Sequence, residues 1–321
     1  MEYNEEVKVR LPPYRTIYRH LRFENEDPNE GDLRERYHVL REAEMMAYEV
    51  LPYGLVNNWE FTSHGIIHSL WVIRNINKIL DFINEDEKIL SETEVLLLYL
   101  SAWYHDIGMA MIPRSEENKA RTKHGIISCL FLKDFRKRNS NSDEIGSLGT
   151  DPFFEALCTI IKSHNSEFKG GKKDSKNSLL FDDIKEHCDL DGESIHLKKL
   201  CSIFCLADGL DVGKQRVPRF AYRCILTNYD LKKKVKKIIG ADSYLYLNRK
   251  SRKHWVHNMS TGSDILCTNE NDCKKCVIIL EYETEKSFNH YSKLRASFER
   301  YIQHISTGIE IKIIKKYQTG P

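Results

Sequence analysis

Five stretches of this sequence place histidine or aspartate at the end of an apolar run, where neither side chain belongs by default. They are His64 and His68 in "HGIIHS", His105 and Asp106 in "WYHDIGM", His124 in "TKHGIIS", His164 in "IKSHN" and Asp208 in "LADGLDV". A single histidine on an apolar face is usually a packed core residue, so no one of these positions argues alone. Their recurrence does. His64 and His68 are four residues apart, which on a helix sets both imidazoles on one face about one turn apart. The neighbours His105 and Asp106 diverge by roughly 100° within a regular helix. Both can still reach one centre if the helix ends there and the chain turns at Gly108.

Nitrogen and carboxylate donors in this mixture suit borderline divalent ions such as Mn, Fe, Zn, Co or Ni, and Mg where carboxylate and water dominate. A bridging carboxylate would allow two ions in the site. Such a centre serves metal-assisted hydrolysis: the ion lowers the pKa of bound water and neutralises charge growing on a phosphoryl oxygen. A phosphorylated substrate also needs cations, and Arg121, Lys123, Lys162, Lys214, Arg216 and Arg219 flank the motifs. Arg121 and Lys162 lie within a helical turn of His124 and His164, where they could clamp phosphate oxygens, as could Arg216. The competing reading is ordinary solvated helix-end charge. Asp211, three residues after Asp208, shares its face if the helix continues and could orient a ligand or pair with Arg216, with a structural role as the leading alternative.

The elements that must position these residues are mostly helical. A polar stretch over residues 1–30, with Pro12-Pro13 and the acidic "ENEDPNEGD", predicts an arm before a first helix near 32–53. Apolar residues at spacings of three and four predict helices over 64–83, 91–108 and 116–138, the second opening with the capping pattern Ser91-x-x-Glu94. Further helices are expected over 153–165 and 194–213, with "FKGGKKDSKNS" as an exposed loop between them. From about residue 220 the pattern changes. "SYLYLN", "HWVHNM" and "CVIILEYET" read as strands, followed by a helix over "NHYSKLRASFERYIQHI" and a last strand "GIEIKIIKK". The expected fold is therefore mainly α, a helical bundle over 32–219 with a small C-terminal α+β subdomain over 220–321 and an N-terminal arm over 1–31.

Composition narrows the remaining classes. The chain has 321 residues, 49 Lys and Arg against 47 Asp and Glu, and a net charge of +2, which gives no global argument for nucleic acid or an anionic membrane. No window approaches about eighteen consecutive apolar residues, and "MEYNEEVKVRLPPYR" lacks the layout of a signal peptide, so a cytoplasmic protein without a membrane partner is expected. Of nine cysteines, Cys129, Cys158, Cys201 and Cys205 sit in apolar helical segments as reduced core residues do. Cys273-x-x-Cys276, with Cys267 before it, matches half of a zinc ribbon, and no second pair completes it. The lysines of 232–237 and the aromatics Tyr244, Tyr246, His254, Trp255 and His257 could meet single-stranded nucleic acid, or be a solvated face and the packing of a small sheet.

The order "HSLWV", "YHDIGM", "RTKHGIIS", "IKSHN" and "LADGLDVGKQRVP" resembles the HD-domain superfamily of metal-dependent phosphohydrolases over roughly residues 60–218. The combination of "FTSHGIIHS" with "HDIGM" is similar to the bacterial HD branch also found fused to Hsp90-like ATPase modules and in systems linked to antiviral defence. The resemblance implies a helical HD fold in which His68, His105, Asp106 and Asp208 hold a metal, with His124 and His164 as the additional histidines of dinuclear members. His64 has no counterpart in the minimal motif; a proton-transfer or supporting role is expected, with direct ligation as the alternative. The implied function is metal-dependent hydrolysis of a phosphoester or phosphoanhydride of a nucleotide, with His64, Asp106 and Arg121 in the chemistry and Arg121, Lys162 and Arg216 on the substrate. "SHN" stands where the cyclic-dinucleotide-cleaving branch has paired histidines, so that substrate is not expected. The alternatives are a nucleotide-sensing or partner-binding module without turnover, a homo-oligomer or partner of an ATPase module, and a single-strand nuclease.

Overall fold

A helix with apolar residues on every side stands at the centre of this chain, and the other elements follow from what surrounds it. The computed structural model describes residues 18, 20–21, 31–57, 64–83, 90–112, 117–138, 148–165, 180–213, 216–217, 237–238, 255, 257–270, 273–306 and 308–315. Its elements are α1 (Gly31–Asn57), α2 (Ile66–Ile83), α3 (Glu92–Tyr104), a 3-10 turn (Ile107–Met111), α4 (Glu117–Arg138) and α5 (Asp151–Ser163). A hairpin of β1 (Cys188–Leu190) and β2 (Glu193–Ile195) leads into α6 (Leu197–Gly209). Beyond it come β3 (Thr261–Glu270), β4 (Cys273–Tyr282), α7 (Glu285–Ile305) and β5 (Ile309–Lys315). The fold is mainly α with a small C-terminal α+β region, as the periodicity predicts.

The central helix is α3. Ser91 Oγ accepts from the Glu94 amide at 3.2 Å while the Ser91 amide donates to Glu94 Oε2 at 2.8 Å, so the capping box fixes where the helix starts. Every residue from Glu94 to Tyr104 is buried, because α1, α2, α5 and α6 all pack against α3. Each leucine of this run contributes on the order of 2 kcal/mol by leaving water. From the N-terminal stretch, Tyr18 and Leu21 are buried in the same core. The Trp103 indole donates to the Tyr18 hydroxyl at 2.7 Å, and the Tyr99 hydroxyl donates to Asn77 Oδ1 at 2.6 Å. One apolar core continues from these helices into Ile265, Ile278 and Leu280 of the sheet and Phe298, Tyr301 and Ile305 of α7.

The sheet has the order β3-β4-β5, with β3 antiparallel and β5 parallel to β4, so α7 is the crossover that a parallel pair requires. Several local expectations need correction. The helix expected over 91–108 ends at Tyr104, and the one expected from 194 begins at Leu197. Cys188–Ile195 instead forms the hairpin, whose turn residues Asp191 (φ 54°) and Gly192 (φ 94°) are both left-handed, as a two-residue hairpin turn demands. In "HWVHNM", expected as a strand, Trp255 and His257–Met259 are helical. The strand Thr261–Glu270 was not anticipated, because its Gly, Ser, Asp and Asn content hides it; it pairs with β4 from Thr261↔Tyr282 to Glu270↔Cys273. "SYLYLN" and the loop "FKGGKKDSKNS" lie outside the described residues. Among the described residues, no helix is long and apolar enough to cross a membrane.

Candidate metal centre

Three helices end at one point. His105 caps the C-terminus of α3, His164 caps that of α5, and Asp208 is the penultimate residue of α6. The partial negative charge at each helix C-terminus favours a cation there. Opposite them, the chain enters α2 with His64 just before the helix and His68 in its first turn, and α4 brings His124. The helix expected from residue 64 begins at Ile66, yet the His64 and His68 rings still lie 5.6 Å apart. His105 and Asp106 do not share a regular helix. The chain leaves α3 at Tyr104 and enters the 3-10 turn at Ile107, and Asp106 adopts φ −99°, ψ −2° between them.

Small and polar neighbours set this corner. Ser128 Oγ donates to the His105 carbonyl at 2.7 Å and accepts from the Gly108 amide at 2.8 Å, tying α4 to the doublet. A Cβ added at Gly108 would lie 2.2 Å from the His124 carbonyl oxygen, so only glycine lets α4 approach this closely. At Gly125 a Cβ would meet Asn165 Oδ1 at 2.7 Å and His164 Cε1 at 2.9 Å, which explains "HG" and "HN" as facing pairs. Asn165 Oδ1 accepts from the Gly125 amide at 2.8 Å, leaving Nδ2 3.4 Å from His124 Nε2.

The side chains converge on Asp106. Its Oδ2 lies 2.9 Å from His64 Nδ1, 3.4 Å from His68 Nε2 and 3.2 Å from His105 Nε2. Its Oδ1 lies 3.2 Å from His124 Nε2. Asp208 Oδ1 lies 3.1 Å from His68 Nε2 and 3.8 Å from His105 Nε2. His164 Nε2 lies 2.7 Å from His124 Nε2. Three groups of side chains could each hold an ion: His68, His105 and Asp208; Asp106, His124 and His164; and His64, His68 and Asp106.

Hydrogen bonding tests whether a cation fits. His105 Nδ1 donates to the Ala102 carbonyl at 3.0 Å, His164 Nδ1 donates to the Ile161 carbonyl, and His68 Nδ1 is 2.5 Å from Asp211 Oδ2. With Nδ1 as the donor in each neutral ring, Nε2 carries the lone pair. His68 Nε2 and His105 Nε2 face each other at 3.0 Å and would be two acceptors with both rings neutral, so a proton on His68 or a cation must lie between them. Asp106 Oδ1 is buried without a hydrogen bond. Two facing ring nitrogens, a buried carboxylate oxygen without a hydrogen bond and three helix C-termini form a donor set that a divalent ion satisfies.

The electrostatics agree. Burial and Arg216 push His68 down, but its hydrogen bonds to Asp208 and Asp211 outweigh them, and the ring is pushed up to about 9. Burial holds His64 down at about 4 against the pull of Asp106. Burial, with the like charge of His124 and His105, lowers His164 to about 3. Asp106 is held well below the carboxylate range: burial opposes this, and the surrounding His105 and His64 outweigh it. Asp208 is lowered likewise by His68 against its burial.

The cations expected on substrate are placed unequally. Arg216 is nearly buried, its Nη2 lying 3.3 and 3.5 Å from the two His64 ring nitrogens and its Nη1 donating to the Asp211 carbonyl at 3.2 Å. Lys162 is half-buried near the end of α5, two residues before His164. Arg121 lies on α4 three residues before His124, with its side chain outside the described residues. Lys123 is half-buried; Lys214 and Arg219 lie outside the described residues. Asp211, expected to orient a ligand or pair with Arg216 if the helix continued, contacts both His68 and Arg216, but from a turn: α6 stops at Gly209, and the chain beyond it carries the carboxylate to His68. Asn165 and Ser128 were missed, although "SHN" and "HGIIS" already place a polar residue near each histidine.

The weaker signals do not join this centre. No cysteine belongs to any candidate metal cluster among the described residues. Cys276 is buried in register opposite the exposed Cys267. Trp255 is buried, and His257 stacks edge-on against Tyr291. Tyr244, Tyr246, His254 and the lysine run other than Lys237 lie outside the described residues.

This architecture, a helical bundle with a histidine and aspartate doublet at its centre, defines an HD domain. A model of the HD-CE family matches residues 60–304, and the chain belongs to that family. The matched span contains every candidate ligand and continues through β3, β4 and nearly all of α7. No curated protein and no solved structure matches the chain.

Proposed function

We propose that this chain is a metal-dependent phosphohydrolase that cleaves a phosphoester or phosphoanhydride bond of a nucleotide. The observation that carries this reading is the Asp106 carboxylate, whose two oxygens face two different sets of histidine nitrogens. His68, His105, Asp106 and Asp208 would hold one divalent ion, and Asp106, His124 and His164 a second. Bound there, a divalent ion supplies a water of lowered pKa and offsets charge on a phosphoryl oxygen.

The chain's own residues do the rest. His64 donates Nδ1–H to Asp106, so Nε2 is its basic nitrogen, and its low pKa keeps the ring neutral near pH 7. A neutral imidazole beside the centre is suited to take or return a proton during hydrolysis. Arg216 places a guanidinium against that ring, where it would pair with a phosphate oxygen. Lys162 and Arg121 belong to the helices that carry His164 and His124 and would supply further cations for a polyphosphate tail.

Elemental analysis of the purified chain, followed by phosphate and product assays on a panel of nucleotides and cyclic nucleotides, tests the reading. Bound metal with turnover of at least one nucleotide is expected. A metal-free chain that stays inactive with added Mn, Mg, Ni and Co overturns it.

A further inference from the structure

We infer that Asp211 is the positioning residue of this centre: its carboxylate, held by Arg216, locks the His68 ring so that Nε2 faces His105 and Asp208. The inference rests on the metal-centre reading above and adds a residue that touches neither ion nor substrate. Asp208 and Asp211 address opposite nitrogens of one imidazole. Asp208 Oδ1 is 3.1 Å from Nε2, and Asp211 Oδ2 is 2.5 Å from Nδ1. Asp211 belongs to none of the groups that could hold an ion, and its side chain has no exposed surface. Its carboxylate reaches the ion-holding groups through His68, and it also pairs with Arg216.

A buried carboxylate is costly unless charged or hydrogen-bonded partners surround it. Here the partners come from the chain's own turn. After α6 ends, the Asp211 amide donates to the Asp208 carbonyl at 3.0 Å and the Val212 amide to the Leu210 carbonyl at 2.8 Å. Gly213, at φ 136°, reverses the chain into a backbone region that an L side chain rarely adopts. The Arg216 amide then donates to the Gly213 carbonyl at 3.1 Å. Its guanidinium folds back, with Nη1 on the Asp211 carbonyl and Nε 3.6 Å from Asp211 Oδ2. The end of α6, Asp211–Gly213 and Arg216 thus brace one another and deliver one carboxylate to each side of His68. A carboxylate on the far nitrogen of a ligating histidine fixes its tautomer and strengthens the near nitrogen as a donor.

The test uses the full-length chain, stripped with a chelator and titrated calorimetrically with Mn(II), and with Co(II) while the visible d–d absorption of the bound ion is recorded. Asp211→Asn should bind about 10- to 100-fold more weakly and shift the Co(II) spectrum. Asp264→Asn, which removes the partner of Lys78 away from the site, should change neither. Circular dichroism of the metal-free variants reports folding. If Asp211→Asn does not fold, Asp211→Glu keeps the charge and moves it by one methylene, and a shifted Co(II) spectrum in that variant supports the inference. A folded Asp211→Asn, or a folded Asp211→Glu, with wild-type affinity and spectrum overturns it and leaves the metal reading standing. A wild-type chain that takes up neither ion overturns both.

Discussion

Asp106 gives each of its oxygens to a different set of nitrogens, Oδ2 to His64, His68 and His105, and Oδ1 to His124. Changing it to the near-isosteric Asn should therefore lower metal content at both proposed positions together, and product formation by at least about 100-fold, the larger of the losses seen when partners of metal ligands are removed. His164→Ala touches only the second group, so elemental analysis of a chain that binds two ions should find one retained. A proton competes with the ion at His68. Because that ring is pushed up to about 9, it is protonated in the metal-free chain at neutral pH, and an ion at Nε2 must displace the proton. The sign follows: affinity should rise as pH increases from 7 towards 9, with proton release on binding. His64 and His164, lowered to about 4 and about 3, are already neutral there and add nothing to this slope. Calorimetric titrations in buffers of different ionisation enthalpy would count the protons released.

At the scale of elements, the site is made of helix ends and the gaps between helices. Gly108→Ala should destabilise the chain by about 1–3 kcal/mol through overpacking, because the obstacle is the His124 backbone oxygen, which no rotamer change can move. The same variant should bind metal poorly, since whatever gives way carries His105, Asp106 or His124. Chemical denaturation and metal titration check the two effects separately. Much of this level is legible in the sequence. The three-and-four spacing places His64, His68, His105, His124 and His164 at or near the end of an apolar run, and the capping box at Ser91 marks where the central helix starts. What the sequence hides is where helices stop: "LADGLDVG" keeps an apolar rhythm beyond Gly209, so Asp211 reads as a further helical turn rather than as part of a bracing loop. The hairpin carried a visible signal in "LDGE", an Asp-Gly pair between short strands. β3 carried almost none, because its stability comes from the pairing along β4 and not from its own residues.

Across the whole molecule, the C-terminal portion shares its core with the helices that hold the site. A Cβ at Gly209 would meet the Phe298 ring at 2.7 Å, so α7 rests directly on the residue after Asp208, and Tyr301 packs edge-on against Phe181. Phe298→Ala should cost about 3–5 kcal/mol as a core truncation, and thermal melts should show it together with weaker metal binding through a loosened Asp208. For the same reason, a chain cut at residue 219 should lose cooperative unfolding, despite the change in sequence character that suggests a boundary near 220.

His68 and Asp211, now in contact, stand 143 positions apart along the chain, and the histidines that meet at Asp106 come from the start of α2, the end of α3 and α4. Closing loops of that length is a late event in folding, because its entropy must be met before any distant contact rewards it. Before those loops close, the chain holds at most a neighbouring pair such as His64 and His68, which is a poor trap for an ion. Uptake of a coloured ion during refolding is thus a clock: its rate should match the slowest step of chain assembly rather than the appearance of helix.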